Sequence, residues 1–180
     1  TIWVAGGTGG GVARYEDSVW RRFEMQELPS NDAFMLETAA GALWALTWSG
    51  PARFDIAGDH WESFPALGDA FRVLDPGDGT LWFADNATLL HTSADAPGTV
   101  LGKTQPPTSE KVNAVDVVLV HGPAGPEIWL AGEIGGESLL ARYDITEDIW
   151  TAYTYETTSG ALPVADVRNL SVLADGSLFV

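Results

Sequence analysis

The chain has 180 residues and carries 25 acidic against 9 basic side chains, for a formal net charge of −16. This charge argues against nucleic acids and anionic membrane surfaces as partners, because phosphate binding depends on clustered Lys and Arg. No cysteine is present, which excludes a disulfide scaffold, a thiolate metal site and a cysteine nucleophile. The hydrophobic content of 46% is that of a globular domain, and no apolar run approaches the roughly 18 residues that cross a bilayer. We therefore expect a folded domain without membrane insertion.

A phrase that joins an aliphatic residue to a tryptophan in a short apolar run recurs along the chain. Four copies hold half of the eight tryptophans, and a fifth copy has phenylalanine instead. The aromatic residues of the five copies are Trp3, Trp44, Trp82, Trp129 and Phe179. Successive copies are 41, 38, 47 and 50 residues apart. This spacing is typical of the four-stranded blades of a β-propeller.

Two further phrases follow the tryptophan phrase in three of the four units. In the first, Arg stands between Ala and an aromatic residue, at 13–16, 52–55 and 141–144. In the second, a tryptophan precedes another aromatic residue by three positions, at 20–23, 61–64 and 150–153. The third unit lacks both phrases. Turns rich in Gly, Asp and Pro separate these segments, and no window keeps a helical apolar face, so the predicted fold class is all-β.

The expected architecture is a β-propeller segment of about four four-stranded blades, cut within a blade at both ends. The units are expected at 1–26, 27–67, 68–108 and 109–160, with a partial unit at 161–180. Their innermost strands are predicted at 33–36, 71–74, 112–120 and 167–173, and a longer insert is predicted from Gly132 to Leu139. The recurrent tryptophans are predicted to fill the space between neighbouring sheets. We expect the chain to be an excerpt of a propeller of roughly 7 or 8 blades, or a half-ring that a second copy completes.

The order of these phrases resembles the repeat of the two-component regulator propellers. The likeness is strongest in 142–153 and in 161–180, which contains Leu162-Pro163 and Asp175-Gly176, and it extends over nearly the whole chain. The phrase Gly79-Thr80-Leu81-Trp82-Phe83 is shared with streptogramin-lyase-like propellers. Two-component regulator propellers form periplasmic sensor regions of bacterial hybrid histidine kinases. The resemblance therefore implies a periplasmic or extracellular bacterial setting and a sensory role in signalling.

Loops at one edge of the predicted blades carry acidic and amide side chains and one exposed tryptophan. The loops that precede the innermost strands share this edge with the loops that follow the tryptophan strands, and Lys111 lies among them. The candidate ligand-binding residues are Asn31, Asp32, Trp48, Asp69, Asp85, Asn86, Asn113, Glu133 and Asp166. Such a rim suits the hydroxyls of a sugar, a cation or a basic peptide. The alternative is that Asp and Asn satisfy the backbone of turns.

Other conspicuous residues are expected to be structural. Arg14, Arg53 and Arg142 recur at one repeat position and are predicted to pair with acidic residues of an adjacent strand or blade. The three histidines share no ligand-like spacing. The glycine-rich segment 6–11 is not followed by a helix, as a phosphate loop would be, and is interpreted as a flexible hairpin. We predict no metal site, no cofactor and no catalytic residue.

These observations favour a non-catalytic ligand-binding or sensory propeller module of a bacterial signalling or surface protein. Its ligand is expected to be a small molecule, a carbohydrate or a peptide. One alternative is a lyase or glycosidase on the same scaffold, in which two of the candidate carboxylates would lie roughly 5 to 9.5 Å apart. A second alternative is a structural protein-interaction ring.

Overall fold

The computed structural model describes residues 1–108, 110–162 and 167–180. Its regular structure is almost entirely β-strand, and the helical part of the described residues is a short 3-10 helix, Pro65–Leu67. The all-β prediction is therefore confirmed. The chain forms two compact units, which differ from the repeat units of the sequence. The first compact unit is Thr1–Asp85 with Leu90–Lys103, and the second compact unit is Asn86–Leu89 with Thr104–Val180. Among the described residues, no helix has the length and apolar character of a membrane span.

The first two sheets are antiparallel meanders in which the strand order follows the chain. The first consists of β1 (Ile2–Ala5), β2 (Val12–Glu16) and β3 (Val19–Phe23). The second consists of β4 (Ala33–Ala39), β5 (Ala42–Thr47), β6 (Ala52–Asp55) and β7 (His60–Ser63). The β2–β3 hairpin turns at Asp17 and Ser18, whose φ values of 49° and 66° have the sign that a two-residue type I′ turn requires. Tight turns of this kind allow consecutive strands to pair.

The remaining sheets repeat the same meander. The third consists of β8 (Arg72–Leu74), β9 (Thr80–Asp85), β10 (Thr88–Ser93) and β11 (Val100–Thr104). The fourth consists of β12 (Val112–Gly122), β13 (Gly125–Ile134), β14 (Glu137–Asp144) and β15 (Ile149–Tyr153). A short hairpin of β16 (Ser171–Val172) and β17 (Leu178–Phe179) ends the chain. These sheets are those of a β-propeller segment of about four blades, as the spacing of the tryptophan phrases predicts.

The strand register fixes which loops share an edge of each sheet. Ala33 at the start of β4 pairs with Thr47 at the end of β5. Arg72 and Ala84 are paired at the same place in the third sheet, and Val112 and Ile134 in the fourth. The loop before the first strand of a blade therefore lies beside the loop after its second strand. We call this edge of each blade the loop edge, and it carries the predicted site residues that the structure describes.

The core between the first two sheets is an aromatic cluster around Trp3. Its ring centroid lies 4.7 Å from that of Phe54 and 5.7 Å from those of Phe23 and Trp61. The rings meet largely edge to face, which is the arrangement that aromatic quadrupoles favour. Phe23, Phe54 and Trp61 are buried. The first recurrent tryptophan therefore fills the space between two sheets, as predicted.

The other recurrent aromatic residues differ in how they pack, since Trp82 contacts His91 of its own sheet and Phe179 is exposed. Trp44 is fully buried and lies 5.5 Å from Phe64 and 5.2 Å from Phe83, so it joins the second sheet to the third. In the second compact unit, Trp129 of β13 stacks on Tyr153 of β15 in the same sheet, with centroids 5.8 Å apart and ring planes at 11°. A blade has two apolar faces, and these rings keep water from them.

Three details of the structure differ from the expectations. The predicted insert from Gly132 to Leu139 is absent as such, because β13 and β14 run through it and meet at the Gly135–Gly136 turn. Of the predicted innermost strand 167–173, the structure has only Ser171–Val172 as strand among its described residues. The third blade has both of its outer strands, although its sequence lacks the arginine phrase and the second tryptophan phrase.

The recurrent arginines form ion pairs, as predicted. Arg14 reaches across to the second blade, whereas the other two pair within their own sheets. The shortest contacts are Arg14 Nη1 to Asp59 Oδ1 at 2.6 Å, Arg53 Nη2 to Glu62 Oε2 at 2.8 Å and Arg142 Nη1 to Glu127 Oε1 at 3.5 Å. The same position in the repeat thus serves the scaffold in all three units.

Asp59 in the β6–β7 turn accepts a second arginine that the sequence does not single out. Arg21 of β3 donates from Nη1 to Asp59 Oδ2, and its Nη2 lies 2.9 Å from Glu27 Oε1. Arg14 and Arg21 both belong to the first blade, so Asp59 ties the second blade to two strands of the first. We call Arg14, Arg21 and Asp59 the interblade clasp. The hydrogen bond from Arg14, aided by the charges of both arginines, holds the pKa of Asp59 below its usual range.

Candidate functional site

Trp48 is the exposed aromatic residue of the loop edge in the first compact unit. It follows β5 directly, is 59% exposed, and its ring centroid lies 4.8 Å from that of Phe34 with the planes at 40°. Phe34 is the extra residue of a β-bulge between Ala33 and Met35 of β4. A bulge re-aims a side chain that regular pairing would direct elsewhere. We call Phe34 and Trp48 the aromatic platform.

Asn31 and Asp32 lie in the loop that leads to β4. Asp32 Oδ1 accepts a hydrogen bond of 2.6 Å from the backbone N–H of Gly9, and the carbonyl of Asn31 accepts one of 2.7 Å from Gly11. The glycine-rich segment 6–11 is therefore a hairpin tied to this loop. The side-chain oxygen of Asn31 is buried and finds no hydrogen-bond donor among the described residues. Asp32 thus serves a neighbouring backbone, whereas Asn31 retains an unused acceptor.

Asp69 and Asp85 lie at the loop edge of the third blade. Asp69 is exposed in the loop before β8, and Asp85 is half-buried at the end of β9. Burial raises the pKa of Asp85, and the negative charge of Asp69 raises it further. Gly68 makes room for this carboxylate, since a Cβ there would lie 2.5 Å from Asp85 Oδ2. The pair therefore includes one carboxyl, that of Asp85, whose pKa is raised.

The predicted residues of the second compact unit form two separate sets of contacts. Asn86 Oδ1 accepts a hydrogen bond of 2.8 Å from the backbone N–H of Ala114 in β12, and Asn86 has a φ of 52°. Asn113 and Glu133 are directly opposite each other in β12 and β13. Asn113 is exposed and Glu133 half-buried. Asp166 lies outside the residues that the structure describes.

Beside Asn86 the second unit has a polar cavity of about 240 Å³. It lies between the β9–β10 turn and the connection to β12, and its polar lining is Asn86, Thr88, Gln105, Thr108, Glu110 and Lys111. We call it the connector cavity. Over the described part of the chain, no group of three or more His, Asp or Glu side chains is placed to hold a metal ion.

The structure thus brings some of the predicted residues near each other and separates others. Asp69 and Asp85 share the loop edge of the third blade, and Asn113 is paired with Glu133 across β12 and β13. Trp48 contacts an unpredicted partner, Phe34. The sequence gives no warning of Phe34, because an aromatic residue near the start of an inner strand is typical of the core and the bulge has no sequence signature. The connector cavity was also not predicted, since Gln105 and Thr108 belong to no repeated phrase.

The chain matches known proteins by its structure but not by its sequence. No protein-family model matches the chain. No curated protein matches it either. One similar solved structure is the extracellular domain of a hybrid two-component system from B. thetaiotaomicron, with a TM-score of 0.67 and 17% identity over 98% of this chain and 23% of that one.

Two further matches are structures of the extracellular domain of a second B. thetaiotaomicron system, described once as hybrid two-component and once as one-component. Their TM-scores are 0.61 and 0.65, with 11% and 12% identity. They cover 81% and 96% of this chain, and 21% and 24% of theirs. The chain therefore spans less than a quarter of the length of these structures. The predicted resemblance to two-component regulator propellers is confirmed at the level of the fold.

Proposed function

We propose that the chain is part of a non-catalytic sensory propeller of an extracellular or periplasmic bacterial protein, and that it binds a carbohydrate at the aromatic platform. The setting and the sensory role are supported by the similar solved structures, all of which are extracellular domains of bacterial regulatory systems. The single observation that carries the binding site is the exposed Trp48 ring, held by Phe34 at the loop edge.

The chemistry of the platform favours a sugar over a cation or a basic peptide. An indole face packs well against the flat apolar face of a sugar ring, and its rigid side chain loses little conformational freedom on binding. Asn31 precedes Phe34 by three positions, but its side-chain oxygen is buried, so the exposed indole ring and not this amide is the contact that we propose for the sugar. The carboxylate of Asp32 is already committed to a backbone N–H, so the platform has little free negative charge of its own.

The test is a titration of the 180-residue chain with maltotriose, cellotriose and xylotriose, followed by calorimetry. We expect at least one trisaccharide to bind and Trp48→Ala to weaken that binding roughly tenfold, as loss of an aromatic stacking contact does. The matched control is Trp20→Ala, because Trp20 of β3 is 58% exposed and also packs on a single ring, that of Tyr15. Absence of binding by all three sugars, or equal loss in both variants, would contradict the proposal.

A second candidate function, glycoside hydrolysis, is favoured by the pair Asp69 and Asp85. Two carboxyl groups, one of them with a raised pKa, are the groups that glycosidases use as acid and as base or nucleophile. For a binding module we expect no release of nitrophenol from p-nitrophenyl glycosides between pH 4 and 8 (about the range in which such pairs work). Turnover that Asp85→Asn abolishes and Asp95→Asn preserves would establish the enzyme instead.

A further inference from the structure

The connector cavity contains a cation that has no anionic partner in the described part of the chain. The six arginines between Arg14 and Arg142 all pair with carboxylates, at Asp59, Glu27, Glu24, Glu62, Glu37 and Glu127. Lys111 forms no such pair with any described residue, although the chain carries a net charge of −16. In so acidic a protein, a lysine that lines a cavity without a partner is available to an external anion.

The other walls of the cavity add hydrogen-bond donors. Asn86 uses its side-chain oxygen to accept from Ala114, so its amide nitrogen is left to donate. Gln105 and Thr88 supply a further amide and a hydroxyl. An ammonium group with amide and hydroxyl donors around it is the set that binds a carboxylate, because charge-assisted hydrogen bonds are the strong ones.

Glu110 restricts what else the ligand carries. Its carboxylate also lines the cavity and lies against the β13–β14 turn, where a Cβ at Gly135 would be 2.8 Å from Glu110 Oε2. An ionised carboxylate accepts hydrogen bonds and repels a second negative charge. The ligand therefore carries one negative charge and a hydrogen-bond donor next to it.

We infer that the connector cavity binds a small carboxylate with an adjacent hydroxyl or amino group, held by Lys111 and oriented by Glu110. The volume of about 240 Å³ is below the roughly 300 Å³ at which sites for drug-sized ligands begin, so the ligand is compact. Pro106 and Val112 are buried beside it and give the cavity an apolar floor. This site is distinct from the aromatic platform, since every residue that lines it belongs to the second unit.

The test uses L-lactate, L-alanine and neutral lactamide as probes, with the backbone amide signals of the 180-residue chain followed by NMR. Lactate carries the carboxylate and a hydroxyl group, alanine the carboxylate and an ammonium group, and lactamide the hydroxyl group alone. We expect lactate, alanine or both to shift the signals of residues 110–114, and lactamide to leave them in place. Equal shifts with all three probes, or no shift with either carboxylate, would overturn the inference.

The variant that decides the assignment is Lys111→Met, with Lys103→Met as its matched control. Lys103 is the other lysine of the chain, is exposed on β11 and does not line the cavity, so both variants change the net charge equally. We expect Lys111→Met to weaken carboxylate binding at least about tenfold, as loss of a charged hydrogen bond does, and Lys103→Met to bind as the wild type. Equal affinity in the two variants would refute the role of Lys111. Failure of this site would leave the trisaccharide titration unaffected, because the aromatic platform lies in the other unit.

Discussion

Asp59 links two blades through a single half-buried carboxylate. Its pKa lies below 3.8 in the folded protein, chiefly because of the hydrogen bond from Arg14. A lowered folded-state pKa means that this contribution to stability is complete above the unfolded value and is lost as the pH falls through the folded one. The interblade clasp is therefore expected to hold at neutral pH and to open in acid.

Replacing Asp59 by Asn tests the clasp. We expect Asp59→Asn to lower the melting temperature at pH 7, because two arginines lose their common partner, and to make no difference well below pH 3.8. The measurement is thermal unfolding as a function of pH. The control is Asp95→Asn, which removes a carboxylate that forms no ion pair with a described residue. If the clasp did not contribute to stability, the melting temperatures of the two variants would depend on pH in the same way.

Asp85 has the opposite pH dependence. Because burial and Asp69 raise its pKa, the folded state binds its proton more tightly than the unfolded state does, and the charged form destabilises the fold as the pH rises. We therefore expect Asp85→Asn to raise the melting temperature at pH 7 and to have little effect near pH 3, a value below the reference pKa of about 3.9. A lower melting temperature of Asp85→Asn at pH 7 would show that this carboxylate makes a favourable contact instead.

At the scale of elements, the glycine-rich hairpin 6–11 depends on one close approach. Gly11 has a φ of 65°, and a Cβ there would overlap the backbone oxygen of Phe23. Gly9, in the same hairpin, has a φ of 69° and no atom within 4 Å of such a Cβ. The two glycines therefore share a positive φ and differ in the space beside them.

We expect Gly9→Ala to destabilise the chain by about 1 kcal/mol, the cost of a left-handed conformation for a non-glycine residue. Gly11→Ala adds the displacement of a strand and is expected to cost at least about 3 kcal/mol. Urea unfolding of both variants measures the difference. Equal losses in the free energy of unfolding would mean that the hairpin relaxes freely around residue 11.

The strands were largely predictable from the sequence, whereas their irregularities were not. The tryptophan phrases predict β1, β5, β9 and β13 because β-branched and aromatic residues between turn residues have one common explanation. The extra length at 132–139 predicts an insert, and this prediction is wrong because length alone does not distinguish a loop from two longer strands. The bulge at Phe34 and the pairing of Arg21 with Asp59 depend on contacts between distant segments, for which no spacing rule exists.

At the scale of the whole molecule, the tryptophans divide into those that hold the fold and those that are free to bind. Trp44 is fully buried between two sheets, whereas Trp48, four positions later, is more than half exposed. Trp44→Ala is expected to cost about 3 to 5 kcal/mol, as loss of a large buried ring does. Trp48→Ala is expected to stay within about 0.5 kcal/mol of the wild type, as exposed substitutions do. Chemical unfolding of both variants checks this division, and a large loss for Trp48→Ala would make it part of the scaffold.

The proposed ligand site at the loop edge depends on Trp48. Its most direct test is the set of eight indole N–H signals in a nitrogen-15 NMR spectrum, with Trp48 assigned from the variant Trp48→Phe. When a trisaccharide binds, we predict that the Trp48 signal shifts while those of the buried Trp44 and of the exposed Trp20 stay in place. A bound sugar that shifts other indole signals and leaves Trp48 unchanged would contradict the account.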